Sequence, residues 1–192
     1  MKVISPWSAE DNLGLLRAAI QDPDPVVYLE NEMMYNKEFD VPAEQMDPSF
    51  VLPIGKAKIE RAGTDLTIVG HAKMVGHALD AAEILQKDHG ISVEVINMRT
   101  IRPIDRECII NSVKKTNRIV TVEEGWPQHG VGAEISACIM ESDAFDYLDA
   151  PLERVTGADV PMPYAVNLEQ IAIPQINDIV KASLAACYRN KN

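Results

Sequence analysis

Residues whose types could do chemistry gather in two stretches. The first, Val120 to Gly132, holds the adjacent carboxylates Glu123 and Glu124, then His129, Gly130 and Gly132. The second, Val155 to Tyr164, leaves a hydrophobic strand for a turn containing Gly157, Pro161 and Pro163. Such turns put side chains and bare backbone at the end of a sheet, where function concentrates. Gly130-Val131-Gly132 opens a helix after a strand, as a phosphate-binding turn would. A dinucleotide fingerprint needs a third glycine at position 135, where Ile135 stands, so this pair reads as turn geometry. Glu123 and Glu124 could form an acid–base pair, but neighbours in a strand point to opposite faces, so one of them is expected to be structural. His71, His77, His89 and His129 share no short motif with Cys or Asp at metal-ligand spacing. Of these, His129 in its exposed turn is the best catalytic candidate, and it reads as a surface or supporting residue. Asp22-Pro23-Asp24 follows a helix. It is a turn by composition, or a metal site if the two carboxylates join helix-end carbonyls at Ala19 and Ile20 as hard oxygen donors.

The elements that position these groups alternate. Ser5-Pro6 or Ser8 can cap a helix with Leu13, Leu16 and Ile20 at helical spacing, ended by the prolines at 23 and 25. Val26 to Leu29 reads as a buried strand, and from Asn31 to Pro53 the periodicity is lost. Strands are then expected at Asp65–Gly70, Val93–Ile96, Ile119–Val122 and Leu152–Val155. Between them lie a helix with Val75, Ala78, Leu79, Ala82 and Leu85 on one face and Gly90 as its stop, a helix capped by Asp105, and one carrying Ile135 and Ile139. A last helix starts at Pro174 and carries Ile176, Val180, Leu184 and Cys187. Short apolar strands alternating with helices specify a largely parallel sheet covered on both faces, an α/β fold.

Composition narrows the function. With 192 residues the chain can form one large domain or one and a half, and 46% hydrophobic residues supply a core. No apolar run nears the roughly 20 residues of a membrane helix, so no membrane partner is expected. A formal charge of −11 disfavours nucleic acid, whose phosphates require clustered Lys and Arg. Cys108, Cys138 and Cys187 are scattered through apolar helical patterns and read as buried, reduced thiols of an intracellular compartment. The opening residues read as neither a signal nor a transit peptide. Residues 1–30 carry apolar faces they cannot bury alone, which suggests a truncated chain.

Together with Ile96 to Pro103, the two stretches resemble one family, the beta subunits of pyruvate dehydrogenase, the thiamine-dependent component of 2-oxoacid dehydrogenase complexes. The resemblance runs from Lys2 to about Lys181 and is densest at Pro53–Glu60, Ile96–Pro103, Glu124–Glu134 and Val155–Ala165. It implies that residues 1–30 end a thiamine pyrimidine-binding domain and that 31–53 are a linker. Residues 54–192 would form a three-layer α/β/α sandwich like the C-terminal domain of transketolase. It further implies oxidative decarboxylation of pyruvate with reductive acetyl transfer to lipoyl groups, in the mitochondrial matrix. Thiamine diphosphate would be bound by an intact heterotetramer, and magnesium through an alpha subunit. The activating glutamate would lie upstream of this chain, leaving no catalytic or cofactor-binding residue in it. A structural potassium ion would sit on Ala19, Ile20, Asp22 and Asp24, the last often Asn in relatives. Implied partners are the alpha subunit, a second beta subunit and the subunit-binding domain of dihydrolipoyl acetyltransferase. The last of these would be contacted through Asp149 in the acidic, aromatic segment Glu141 to Asp149. The alternatives are a branched-chain 2-oxoacid dehydrogenase beta subunit and an inactive dimerisation and docking module.

Overall fold

The chain opens with strand β1 (Lys2–Ile4), helix α1 (Ala9–Gln21) and strand β2 (Val26–Tyr28). The structure is a computed structural model that describes residues 1–188. Ser8 is the cap that starts α1: its hydroxyl accepts from Asp11 N at 3.2 Å while the Asp11 carboxylate accepts from Ser8 N at 3.3 Å. The face that α1 buries is not the expected one. Asp11, Gly14 and Leu15 point inward, whereas Leu16 is 44% and Ile20 76% exposed. Polar attraction turns the helix, because Asp11 is drawn to an arginine of the main domain and Leu52 packs directly onto Gly14. β2, expected to be buried, is a half-exposed edge: β1 pairs parallel with it on one side and antiparallel with β6 (Thr100–Arg102) on the other.

From Leu29 to Ala57 the chain makes a 3-10 turn at Glu32–Met34 and a one-turn helix, α2 (Ala43–Met46). The second sheet follows, built from β3 (Lys58–Arg61), β4 (Leu66–Gly70), β5 (Val93–Asn97), β7 (Ile119–Val122) and β8 (Glu153–Val155) in the order β3-β5-β4-β7-β8. β5, β4, β7 and β8 are parallel, with β3 antiparallel at one edge. All residues of β4, β5 and β7 are buried, as strands covered on both faces must be.

Alternation along the strands divides the core in two. Leu66, Ile68, Val93, Val95, Val120 and Val122 face α3 (Lys73–His89) and α7 (Ile176–Ala186). Val69, Ile96 and Ile119 face α4 (Arg106–Thr116) and α5 (Val131–Met140). The result is the expected three-layer sandwich, each large side chain contributing about 1.5–3 kcal/mol on burial. α3 ends at Gly90, which is left-handed (φ 65°), and α4 starts at Asp105, which accepts from Cys108 N; both caps were readable from composition. In α7 the deepest residues are Ile179, Ser183 and Ala186, one step off the expected stripe. β3, β6 and the short α6 (Val166–Ala172) were not foreseen.

The opening segment is fastened to the main domain by a buried polar knot. The carboxylate of Asp11 accepts from Arg99 Nε at 2.6 Å, Asn97 Nδ2 at 2.7 Å and Trp7 N at 3.1 Å, besides Ser8 N. Glu10 lies 3.2 Å from the same guanidinium. Asp11 is wholly buried and Arg99 nearly so, so neither charge has water to fall back on. Asp11→Ala should therefore cost about 3–5 kcal/mol in urea denaturation, because Arg99 loses its buried carboxylate and keeps only Glu10, which it shares with Lys58. Asp11→Leu combined with Arg99→Met should cost clearly less than either single change. Additive losses would show that the two charges do not act as a pair.

Candidate functional site

The path of the chain places one crevice. From β4 it goes outward to β5, then returns to the other side of β4 to form β7 and β8. In a parallel sheet this reversal opens a crevice at the carboxyl ends of the two flanking strands, here β4 and β7. His71, Ala72 and Lys73 follow β4, and Glu123 and Glu124 follow β7. Ala72 is buried at φ 46° and ψ −138°, a backbone state that favours glycine and is held only by its surroundings. His71 Nδ1 is 2.9 Å from Ser5 Oγ, and burial pushes this imidazole below its ordinary range. Burial, reinforced by the Lys73 ammonium, does the same to His77. Lys73 Nζ lies 3.2 Å from Glu124, whose other oxygen accepts from Asn31 at 2.9 Å. Asn31, at the start of the segment after β2, is thus pinned to the crevice.

The two neighbouring glutamates divide as their strand geometry requires. Glu124 faces the crevice, while Glu123 turns under the start of α5 and accepts from Val131 N at 2.8 Å and Gly132 N at 2.9 Å. This is the place a phosphate would take at a helix N-terminus, and the chain fills it with its own carboxylate. The glycines follow from the same contact. A Cβ on Gly130 would meet the Glu123 carboxylate at 2.5 Å, and one on Gly132 would meet it at 2.9 Å and Thr121 at 2.6 Å. His129 is exposed at φ 59°, with the Gln128 amide 3.4 Å from its ring. It is not brought to Glu123, Glu124 or His71 by any contact among the described residues. The two motif stretches do meet: Gly157 N donates to Gly125 O at 2.8 Å. Beyond that point Met162, Tyr164, Val166 and Ile171 project into solvent.

The remaining candidates lie elsewhere. Ala19 and Ile20 sit in the last turn of α1, where helical carbonyls lack intrahelical donors, and Asp22 is its C-cap. Asp22 and Asp24 both accept from Lys2 Nζ. These oxygens are the hard donors a monovalent ion takes, and the Lys2 ammonium is a cation already lodged on them. Among the described residues no group of three or more His, Cys, Asp or Glu is placed to hold a metal ion. Asp149 is exposed, with Oδ2 3.2 Å from Arg118. Its neighbours Glu141 and Asp143 pair with Arg106 and Lys114. Beside it Ile139, Met140, Phe145, Leu148 and Pro151 line an apolar hollow of about 490 Å³. Cys138 is buried and Cys108 and Cys187 are partly so, and burial pushes the Cys108 thiol up to about 11.

A doubly covered, largely parallel sheet with its switch-point crevice bridged by its own residues makes this an α/β sandwich domain. The chain belongs to the transketolase C-terminal domain family, whose sequence profile matches residues 55–179. The mitochondrial pyruvate dehydrogenase beta-1 subunit of Oryza sativa subsp. japonica is 65% identical over 98% of this chain and 50% of its own length. The Arabidopsis thaliana beta-1 subunit is 64% identical over the whole chain and 52% of its own length, and the Bos taurus beta subunit 61% identical over 95% and 50%. A solved split-gene transketolase, described as an inactive tetramer of beta subunits, superposes with TM-score 0.76 at 26% identity over all of this chain and 58% of that one. The chain therefore spans about half the length of the relatives it matches.

If Glu123 holds the turn, Glu123→Ala should cost about 2–3 kcal/mol in chemical denaturation, because two backbone donors lose a charged acceptor in a buried site. Added phosphate should not restore the wild-type value, since Gly130 and Gly132 are spaced for a side chain on the same turn. Full rescue by phosphate would mean that the turn is an anion site after all.

Proposed function

We propose that this chain is the C-terminal portion of a pyruvate dehydrogenase beta subunit of the mitochondrial matrix. There it would serve oxidative decarboxylation of pyruvate with acetyl transfer to lipoyl groups. The observation that carries this is identity of 60–65% with mitochondrial pyruvate dehydrogenase beta subunits across nearly the whole chain. The branched-chain reading is less favoured, since these relatives are named for pyruvate dehydrogenase. Thiamine diphosphate supplies the carbanion chemistry when bound to the intact heterotetramer, with magnesium through the alpha subunit. In this reading the portion at hand does no bond-making. Residues 54–192 are the C-terminal domain, 31–53 the linker, and 1–30 the end of the pyrimidine-binding domain, with potassium on Ala19, Ile20, Asp22 and Asp24.

The role left to this portion is assembly: pairing with a second beta subunit, holding the alpha subunit and docking on the acetyltransferase. Exposed apolar residues at 162–171 suit burial against another subunit. The hollow beside Asp149 suits an apolar anchor from a basic partner, with the carboxylate at its rim.

Two experiments test the proposal. Supplied with thiamine diphosphate, magnesium and pyruvate, the chain alone should release no carbon dioxide. Fused to the N-terminal half of a relative's beta subunit and co-expressed with an alpha subunit, it should. An assembled fusion that turns over branched-chain 2-oxoacids but not pyruvate would overturn the substrate assignment. In the second experiment, Asp149→Ala in that fusion should weaken binding to the isolated subunit-binding domain by roughly fivefold at low salt, about 1 kcal/mol, without altering pyruvate decarboxylation. Unchanged affinity at low salt would remove Asp149 from the interface.

A further inference from the structure

At the end of α1 the chain carries its own cation. Lys2 Nζ donates to both oxygens of Asp22 at 2.6 Å and to Asp24 Oδ2 at 3.1 Å. Asp22 Oδ1 also accepts from Asp24 N at 2.9 Å, which holds the turn that brings the two carboxylates together. The last turn of α1 contains no basic residue, so the negative end of its dipole is balanced from outside the helix. Lys2 is set there by the backbone: it pairs in register with Val26, and its N–H donates to Pro25 O at 2.9 Å. The ammonium is therefore delivered by strand pairing and does not depend on a chance surface encounter.

We propose that Lys2 is an internal competitor at this site, sharing Asp22 and Asp24 with potassium and setting how tightly the ion is held. The inference rests on the reading of Ala19, Ile20, Asp22 and Asp24 as a potassium site. A lysine ammonium is a compact single positive charge with oxygen-seeking donors, so it satisfies the same carboxylates as a monovalent ion. Both cations cannot fill one position between the same oxygens. Tethering gives the ammonium an effective concentration in the millimolar range or above, which an ion from solution must overcome. Exchange is sterically open. The Lys2 side chain is 27% exposed, and a depression of about 370 Å³, lined by Ala18, Gln21, Asp22, Leu52 and Ile54 together with Lys2, adjoins the pair. An ion can reach Asp22 from it, and the ammonium can swing out into it.

The test is thermal unfolding of the whole 192-residue chain while lithium is replaced by potassium at fixed ionic strength. Lys2→Met should melt below wild type in lithium and recover in potassium, with a midpoint at least about tenfold below the wild-type midpoint. Asp22→Asn should lose the potassium-specific response. Equal midpoints for wild type and Lys2→Met would refute competition while leaving the potassium site standing. No potassium-specific response in either would overturn the site and, with it, the competition. Lys2→Gln, which keeps the stem and a donor, gives the same comparison if Lys2→Met does not fold. In the wild type, acylation of the Lys2 amine, followed by mass spectrometry, should speed up over the potassium range in which the melting temperature responds. A rate independent of potassium while the melting temperature responds would also refute the exchange.

Discussion

The structure turns on the carboxylate of Asp11. It is wholly buried and takes hydrogen bonds from a backbone N–H at the start of its own helix and from Asn97 and Arg99 at the end of β5. A charge in that position is tolerable only if every lone pair is matched. Matching them fixes three things together: the start of α1, its rotation about its axis, and the course of the chain from β5 into β6. Arg99 itself sits at φ 58°, steadied by Asn97 Oδ1 on its backbone N–H at 3.1 Å. β6 then pairs with β1, so this group of residues ties the small sheet to the large one, with the Ser5–His71 and Asn31–Glu124 contacts as further links.

The same principle, a charge supplied from within, recurs where the sequence suggests a ligand. The glycine pair at 130 and 132 has the look of a phosphate turn because small residues and a helix start are what a phosphate needs. Glu123 needs the same things. Composition alone cannot separate an external anion from an internal carboxylate, and only the path of β7 shows which one arrives. On the sheet face beneath α4, Glu94 is likewise buried and answered by Ser112, Lys115 and the Gly63 N–H, with Thr67 and Thr116 completing the network.

What the sequence made legible was whatever local chemistry dictates. The caps at Ser8, Gly90 and Asp105, and the strands β4, β5 and β7, follow from residue type and spacing over a few positions. The elements it hid depend on distant partners. β3 reads Lys-Ile-Glu-Arg, charged as an edge strand must be to discourage further pairing, and only β5 makes it a strand. β2 looks buried by its valines yet lies at an edge. α1 has an apolar stripe that would bury Leu16 and Ile20, and long-range ion pairing overrides it. Of the site residues, the division between Glu123 and Glu124 could be read from strand alternation, while the link from Lys2 to Asp22 spans 20 residues and left no local trace.

The acidic face around Asp149 has a thermodynamic consequence. Glu141, Asp143 and Asp149 are already matched, one by one, to Arg106, Lys114 and Arg118, cations on α4 or just beyond its end. A basic surface arriving there does not meet bare charge. It trades one ion pair for another, releasing an arginine or lysine as it gains a carboxylate. In such an exchange the electrostatic terms largely cancel, and the three cations set free resist close approach unless they find acceptors on the incoming surface. Discrimination then falls to the pattern of acceptors that surface offers, and net attraction to the apolar hollow beside it.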